Sequence, residues 1–286
     1  MNHVSGARRL SRRALFGALA VVATPSAGAL AQPATDPWPR WATHDDRNNA
    51  AIDHSIWAAF LNRYAESDGL GVVRLPYARI AAEDRRALAG YVAALERSPV
   101  SSLRRAEQLA YWVNLYNALT VKVVLDHYPV KSIRDIRLGG GLTATFFGGP
   151  WDGKLLRIEG ELVSLNDIEH RILRPLWRDA RLHYVVNCAS TSCPVLPARP
   201  LTAATADDAM DRAAWAYVNG AYGVRRQGDG IWISSIYRWY RGDFGGSDAT
   251  VIGHLARFAT GDLAAALARG PRIVNDFYDW SLNDRP

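Results

Sequence analysis

Two cysteines, Cys188 and Cys193, lie in one short segment of small polar residues, and the chain contains no others. A thiol becomes a good nucleophile when a histidine or a helix N-terminus lowers its pKa and a third group orients that histidine. We predict Cys193 as the nucleophile, because Pro194 follows it and a proline-containing turn can expose its side chain. The chemistry expected of such a thiol is hydrolysis or transfer at an amide or peptide-like bond.

Two histidines that precede the cysteines in the sequence are the candidate bases. His183 lies five residues before Cys188, and His170 directly follows Glu169 on a predicted short helix. Either imidazole is a candidate general base, with Glu169 or Asn117 as the group that orients it. The alternative for Glu169 and His170 is a pair on a helix surface, and the alternative for Asn117 is a buried structural amide.

Four other polar residues are predicted to bind the substrate. Arg174 can hold a carboxylate through two parallel hydrogen bonds, or it can neutralise the C-terminal end of its own helix. Asn114 lies among aromatic residues on a long predicted helix, where a structural role is the alternative. Asn187 and Cys188 complete this set at the start of the cysteine segment. The expected substrate is a small molecule or a peptide-like chain, and no cofactor is expected.

The cysteine pair also allows hypotheses without a catalytic thiol. In an oxidising compartment Cys188 and Cys193 can form a small disulfide loop, and two inert buried thiols are a further alternative. The disulfide would suit a non-catalytic ligand-binding module of the cell envelope, in which Glu169, His170 and Arg174 hold the ligand.

A metal-dependent enzyme that uses His170 and His183 is the remaining hypothesis. The gap between the two cysteines exceeds the usual ligand spacing, and the histidine spacing is not that of a zinc finger. We therefore assign no metal ligands.

Helices must position most of these side chains. Apolar residues at helical spacing over residues 104–127 predict a long helix that starts near Ser101 or Ser102 and ends before Tyr128-Pro129. Residues 182–186 are rich in β-forming residues and predict a buried strand that runs into the cysteine segment. The glycine-rich patch over residues 139–151 predicts a loop, and a mobile flap over a site is one function for it. The other predicted elements are helices over 52–64, 81–95, 166–173, 205–218, 236–240 and 251–267, a short strand over 72–75, and hairpins over 155–163 and 224–233.

This order of elements indicates the fold class. Helices outnumber short hairpins, and strands do not alternate regularly with helices. We therefore expect a single mixed α+β domain over residues 48–286, rich in helix and containing short antiparallel strands, rather than a doubly wound parallel sheet. The proline-containing stretch over residues 32–47 is predicted to be a linker or a loosely docked arm.

The first 31 residues have the pattern of an export signal. Arg12-Arg13, followed by Leu15-Phe16, is typical of the twin-arginine route, and Ala29-Leu30-Ala31 offers a small-residue cleavage site near Ala31. The apolar stretch between them is short and ends near Pro25, whereas a membrane-spanning helix needs about 20 apolar residues. We expect a periplasmic or secreted protein with no integral membrane segment after cleavage.

The leader also accounts for most of the positive charge. The formal net charge of the chain is +6, and removal of the four leader arginines lowers it to +2. A nearly neutral mature chain is not typical of a protein that binds nucleic acid over its whole surface, so no nucleic-acid partner is expected.

Several ordered motifs resemble the domain-of-unknown-function family 547. The residues that carry the resemblance are those from Glu107 to Ala118, from Tyr128 to Ile133, from Leu165 to Arg174 and from His183 to Leu196, with late matches at Ser234, Trp239-Tyr240 and Asp243-Phe244. Together they span about residues 52–283, nearly the whole mature chain.

The resemblance implies a site more clearly than an activity. The polar residues that match the family pattern are Asn114, Asn117, Glu169, His170, Arg174, His183, Cys188 and Cys193. The combination of thiol and histidine residues is similar to that of papain-like hydrolases in residue types only. Here both histidines precede the cysteines in the sequence, which is the opposite order. The leucine zipper of plant relatives is absent, so no partner of that kind is expected.

Overall fold

The computed structural model of the protein describes residues 36–67, 73–138 and 149–285. The predicted leader and most of the glycine-rich loop lie outside the described residues. Within them the chain is a single α+β domain, which confirms the predicted fold class. Its α-helices are α1 (Ser55–Tyr64), α2 (Ala82–Glu96), α3 (Arg105–His127), α4 (Arg174–Trp177), α5 (Ala206–Asn219), α6 (Ile236–Trp239), α7 (Asp248–Ala256) and α8 (Gly261–Ala268).

Short strands form three small sheets in the described part of the chain. The first two are the antiparallel pairs β1 (Glu66–Ser67) with β2 (Val73–Arg74) and β3 (Leu156–Ile158) with β4 (Glu161–Val163). The third contains β5 (Val224–Gln227), β6 (Gly230–Ser234) and β7 (Arg272–Phe277), in that order. In it β5 and β6 form an antiparallel hairpin, whereas β7 runs parallel to β6 and makes the sheet mixed.

The long helix α3 is the centre of the fold. It has 23 residues, and from Glu107 to Thr120 every side chain is buried, so the helix is covered on all sides. A helix in this position needs apolar residues around its whole circumference, and its few polar residues need internal partners. The larger hydrophobic core surrounds α3, and a second core, built on Tyr184, Tyr217 and Tyr237, lies between the mixed sheet and the C-terminal helices.

The strand predicted over residues 182–186 is wrong. Residues Ala180–Tyr184 form a 3₁₀-helix, and the side chain of Asp179 caps it by accepting a hydrogen bond from the Arg181 backbone N–H. The β-forming side chains in this stretch are buried, but among the described residues no strand pairs with them. Their composition therefore reflects burial in the core and not membership of a sheet.

The helix predicted over residues 251–267 is also wrong as a single element, because the structure divides it into α7 and α8. The Asn219 side chain causes the break, since its Oδ1 accepts hydrogen bonds from the Thr260 backbone N–H at 2.9 Å and from its hydroxyl at 3.0 Å. Gly261 follows with φ of +54°, a conformation that glycine adopts at little cost.

The described part of the segment before the domain is a docked arm. Trp41 is buried, and its ring lies 5.2 Å from the ring of Trp112 on α3 in an edge-to-face arrangement. The guanidinium of Arg105 donates to the backbone oxygens of Trp41 and Ala42. Among the residues that the structure describes, no helix is both long enough and apolar enough to cross a membrane.

Candidate functional site

A π-helix over Asp167–Leu173 presents the first group of site residues. The Arg174 backbone N–H donates to the carbonyl oxygen of Glu169, five residues earlier, as in a wide helical turn. Residues five apart then lie one above the other, so Glu169 and Arg174 share a side of the helix with His170 next to them. Such turns recur at functional sites. The predicted short helix is present, but its sequence did not indicate this wider form.

His183, on the 3₁₀-helix, is held by a carboxylate from a distant part of the chain. Its Nε2 lies 2.7 Å from Oδ2 of Asp243. Arg174 binds the same carboxylate through Nε at 2.6 Å and Nη2 at 3.1 Å. Burial opposes ionisation of Asp243, but His183 and Arg174 outweigh it and hold the pKa of its carboxyl well below the usual value. An ionised carboxylate only accepts hydrogen bonds, so Nε2 of His183 carries a proton, and in the neutral ring Nδ1 is the acceptor.

His170 has the opposite arrangement of ring nitrogens. Nη1 of Arg174 lies 3.1 Å from its Nδ1, and because a guanidinium only donates, Nδ1 accepts this hydrogen bond. Burial lowers the pKa of His170 to about 4, with the neighbouring charge of Arg174 acting in the same direction. His170 is thus neutral near pH 7 and carries its proton on Nε2.

Glu169 is buried beside these groups. The hydroxyl of Tyr116 on α3 donates to Oε2 of Glu169 at 2.9 Å. Oε1 lies 3.9 Å from Nδ1 of His170, which is beyond hydrogen-bond distance. Burial would raise the pKa of Glu169, but the nearby histidines, Arg174 and the Tyr116 hydroxyl together lower it, so the side chain is a carboxylate.

The two thiols are in direct contact. Their Sγ atoms lie 2.8 Å apart, and the Cys188 backbone N–H donates to Sγ of Cys193 at 2.9 Å. Both are free cysteines, Cys188 partly exposed and Cys193 buried. Burial opposes ionisation of Cys188, but hydrogen bonds with Cys193, Ser190 and Tyr278 outweigh it and lower its pKa. Burial and the contact with Cys188 raise the pKa of Cys193 well above the usual value.

Backbone contacts hold the loop that carries the thiols. Asn187 bridges it, because its Nδ2 donates to the Pro194 carbonyl at 2.7 Å and its Oδ1 accepts from the Ala189 N–H at 2.9 Å. Ala189 has φ of +60°, which is unfavourable for a residue with a Cβ atom. Backbone strain of this kind persists only where the surroundings enforce it, and it is common at functional sites.

These groups converge on one cavity of about 50 Å³, which is room for a few water molecules. Its polar lining includes both thiols, both imidazoles and the Glu169 carboxylate. Aromatic rings form most of the remaining wall, and they belong to Tyr116, Trp151, Trp239, Tyr240, Tyr278 and Trp280. The Tyr240 ring stacks on His183 with ring centroids 4.3 Å apart, and the Arg174 guanidinium lies 4.8 Å from the centre of the same ring.

Five of the predicted site residues, Glu169, His170, His183, Cys188 and Cys193, therefore line the same cavity. Arg174 lies behind it and binds Asp243 and His170.

The three predicted asparagines bind backbone groups and do not line the cavity. Asn114 makes two hydrogen bonds to the backbone of Leu201, at 2.8 and 3.0 Å. Asn117 bonds the Val185 carbonyl and the Asn187 N–H, both at 2.8 Å. These two hydrogen bonds hold the segment that leads into the thiol loop, and among the described residues Asn117 makes no hydrogen bond to an imidazole.

Sequence reasoning missed Asp243 as a site residue, although Asp243-Phe244 was among the motifs that carried the family resemblance. It also missed the pocket tyrosines Tyr116, Tyr240 and Tyr278. Tyrosine on an apolar helix face does not stand out from core packing, and no local pattern connects Asp243 with a histidine sixty residues earlier. Among the described residues, no three side chains of His, Cys, Asp or Glu are grouped so that they could hold a metal ion.

Comparison with known proteins gives a family without an assigned activity. Residues 100–218 match the model of the family described as "Protein of unknown function, DUF547". The match includes α3, the π-helix and the thiol loop, but it ends before Asp243. No curated protein and no solved structure matches the chain. The chain is therefore similar to the DUF547 family of proteins of unknown function over residues 100–218.

Proposed function

We propose that the cavity is the active site of a thiol-dependent hydrolase or transferase that acts on an amide or peptide-like bond. One observation carries the proposal: two thiols and two imidazoles line the same small cavity, and one of those imidazoles is bound to a buried carboxylate. Nucleophile, base and orienting acid are the three parts that thiol catalysis requires.

Cys188 is the better candidate for the nucleophile, although the sequence favoured Cys193. Cys188 is the more exposed thiol, and its hydrogen bonds lower its pKa, whereas burial raises the pKa of Cys193. Cys193 then supports the thiolate of Cys188 through the sulfur–sulfur contact. The strained residue Ala189 directly follows Cys188, as expected for a side chain held out on a sharp turn.

His183 is the better candidate for the base, because Asp243 fixes its tautomer and leaves Nδ1 as the acceptor. In the proposed reaction Nδ1 takes the proton of the Cys188 thiol, and the sulfur attacks the carbonyl carbon. The protonated imidazole then returns the proton to the leaving amine, which departs as a thioester forms on Cys188. Water or a second nucleophile, deprotonated by the same ring, attacks the thioester and regenerates the thiol.

His170 has a different part in this proposal. Its Nδ1 is engaged by Arg174, so its Nε2–H is the group that remains to donate a hydrogen bond. A neutral donor beside the reacting carbonyl would stabilise the negative charge that develops on the oxygen.

Acyl-enzyme trapping tests the proposal without knowledge of the substrate. The protein is incubated with a panel of p-nitrophenyl esters and p-nitroanilides, and the adduct is located by peptide mass spectrometry. An acyl group on Cys188 is expected, and it should be lost in Cys188→Ser and slowed in His183→Gln. Acylation confined to surface lysines, or equal in wild type and Cys188→Ser, would reject the thiol mechanism.

A second candidate is the non-catalytic ligand-binding module braced by a disulfide. The observation that favours it is the sulfur contact of 2.8 Å, since little movement is needed to bring the atoms to a covalent S–S distance of about 2.05 Å. Oxidised protein would be lighter than reduced protein by two hydrogen atoms. Intact-mass measurement of freshly isolated protein, before and after reduction, separates this candidate from the free thiol that catalysis requires.

A further inference from the structure

One carboxylate oxygen in the wall of the cavity has no hydrogen-bond donor in the part of the chain that the structure describes. Tyr116 satisfies Oε2 of Glu169, but among the described residues no donor lies within hydrogen-bond distance of Oε1. Glu169 is 8% exposed, and it lines the cavity. A ligand in the cavity that brings a hydrogen-bond donor or a positive charge to this carboxylate would therefore form a charge-assisted hydrogen bond.

The positive charge nearest to Glu169, that of Arg174, is already bound to another carboxylate. The guanidinium of Arg174 makes two hydrogen bonds to Asp243, so one cation faces two carboxylates in this cluster. His170 adds no positive charge near neutral pH, because burial lowers its pKa. Glu169 and Asp243 thus share the single guanidinium of Arg174, and Asp243 has His183 as its second partner.

The remaining wall is suited to a cation as well. Trp239 and Trp280 are stacked with centroids 5.6 Å apart, and Tyr278 packs against both rings at 4.7 and 4.6 Å. Aromatic rings attract ammonium groups, and these three rings form part of the cavity lining. The cavity volume of about 50 Å³ admits a small head group rather than a bulky side chain.

We propose that the cavity recognises a cationic amine on the substrate, with Glu169 as its counter-ion and the aromatic residues as its wall. This names the substrate class of the proposed active site, and so it rests on the proposed function. Glu169 is then a binding residue for the amine, and not the group that orients His170.

Equilibrium binding of two matched probes tests the inference. n-Propylammonium and n-propanol differ in charge but hardly in size, and NMR of the tryptophan indole N–H groups detects either one in the cavity. The ammonium probe should bind at least about tenfold more tightly than the alcohol, as a charge-assisted hydrogen bond implies. Equal affinity for the two probes would overturn the inference.

Substitutions test whether the charge of Glu169 causes the preference for the ammonium probe. Glu169→Gln keeps the shape of the side chain and should remove the preference for the ammonium probe, whereas Glu83→Gln, on the exposed first turn of α2, should keep it. If Glu169→Gln does not fold, the comparison of the two probes on wild-type protein still decides the question, and a preference unchanged in a folded Glu169→Gln variant would contradict the role of Glu169.

Binding and catalysis can fail separately in these experiments. The same titration in Cys188→Ser does not need a nucleophile. Ammonium binding in a protein that never forms an acyl adduct would leave this inference standing and remove the thiol mechanism. Acylation of Cys188 without any ammonium preference would do the reverse.

Discussion

The carboxylate of Asp243 lies 2.7 Å from Nε2 of His183, although sixty residues separate them in the chain. The same carboxylate binds Arg174, so it links the 3₁₀-helix that carries His183 to the end of the π-helix. This contact fixes which nitrogen of His183 carries the proton in the neutral ring, and it brings a residue from outside the 100–218 region into contact with the site. It also makes Asp243 important for stability.

Replacement of Asp243 by asparagine should destabilise the fold by about 2–3 kcal/mol, because Arg174 and His183 would lose the charge that compensates them. The estimate is at the low end for a buried pair, since the Asp243 side chain is 23% exposed. Denaturant unfolding measures the change. The matched control is Asp248→Asn, which removes an exposed partner of Arg241 and should cost less than about 1 kcal/mol. Equal effects of the two substitutions would contradict the central role of Asp243.

Cys188 should react with iodoacetamide at least about tenfold faster than Cys193 at neutral pH, because only the thiolate reacts and only Cys188 has a lowered pKa and partial exposure. Peptide mass spectrometry over a time course gives both rates. Cys193→Ser should slow the alkylation of Cys188, because the contact between the sulfurs supports its thiolate. Faster modification of Cys193 would instead favour the nucleophile predicted from the sequence.

Asn117→Ala should destabilise the protein by about 1–3 kcal/mol, since it leaves two buried backbone groups without partners. It should also change the alkylation rate of Cys188, because those backbone groups belong to the segment that enters the thiol loop. Asn114→Ala is the control. It removes a similar pair of hydrogen bonds at Leu201 and should lower stability without changing Cys188 reactivity. Identical reactivity in the two variants would show that Asn117 does not position the loop.

Stability should fall as the pH decreases from about 6.5 to about 4. Burial lowers the pKa of His54, His170 and His254 to about 4, so each binds a proton more readily in the unfolded chain, whose histidines titrate near 6.5. Their contribution is complete above pH 6.5 and is lost as the pH falls through 4.

His254→Gln isolates one of these histidines and keeps a polar group beside Tyr184. The substitution should reduce the loss of unfolding free energy between pH 6.5 and pH 4 by about 1–2 kcal/mol. This value is modest because His254 is only partly buried. Denaturant midpoints across this pH range provide the measurement, and a slope unchanged from wild type would contradict the burial effect.

We propose that the chain is exported, and substitution of the twin-arginine pair tests this. Arg12→Lys with Arg13→Lys should leave full-length precursor in the cytoplasm, because the twin-arginine route depends on that pair. Arg8→Lys with Arg9→Lys is the control and should still yield mature protein outside the cytoplasm. Fractionation followed by intact mass shows both location and cleavage, and normal export of the first variant would exclude this route.

Much of the fold was predictable from the sequence because the signals are local. Helical spacing of apolar residues predicted α3 and its end at His127, although the predicted start near Ser101 or Ser102 lies three or four residues before Arg105. Proline and glycine marked the end of α3 and the two hairpin turns. The strand predicted over residues 182–186 was wrong because the β-forming side chains there are buried in the core as part of a 3₁₀-helix. The single predicted C-terminal helix was wrong because the break depends on Asn219, which is forty-one residues from Thr260.

The sequence by itself determined which side chains are available for chemistry: two thiols in one polar segment, two imidazoles before them and a carboxylate beside one of those. Only the tertiary structure decided how they are used. It joined Asp243 to His183, assigned Asn114 and Asn117 to backbone contacts, and made the two thiols unequal. The physical reason is that pKa, tautomer and exposure depend on neighbours across space, and neither composition nor spacing records those neighbours.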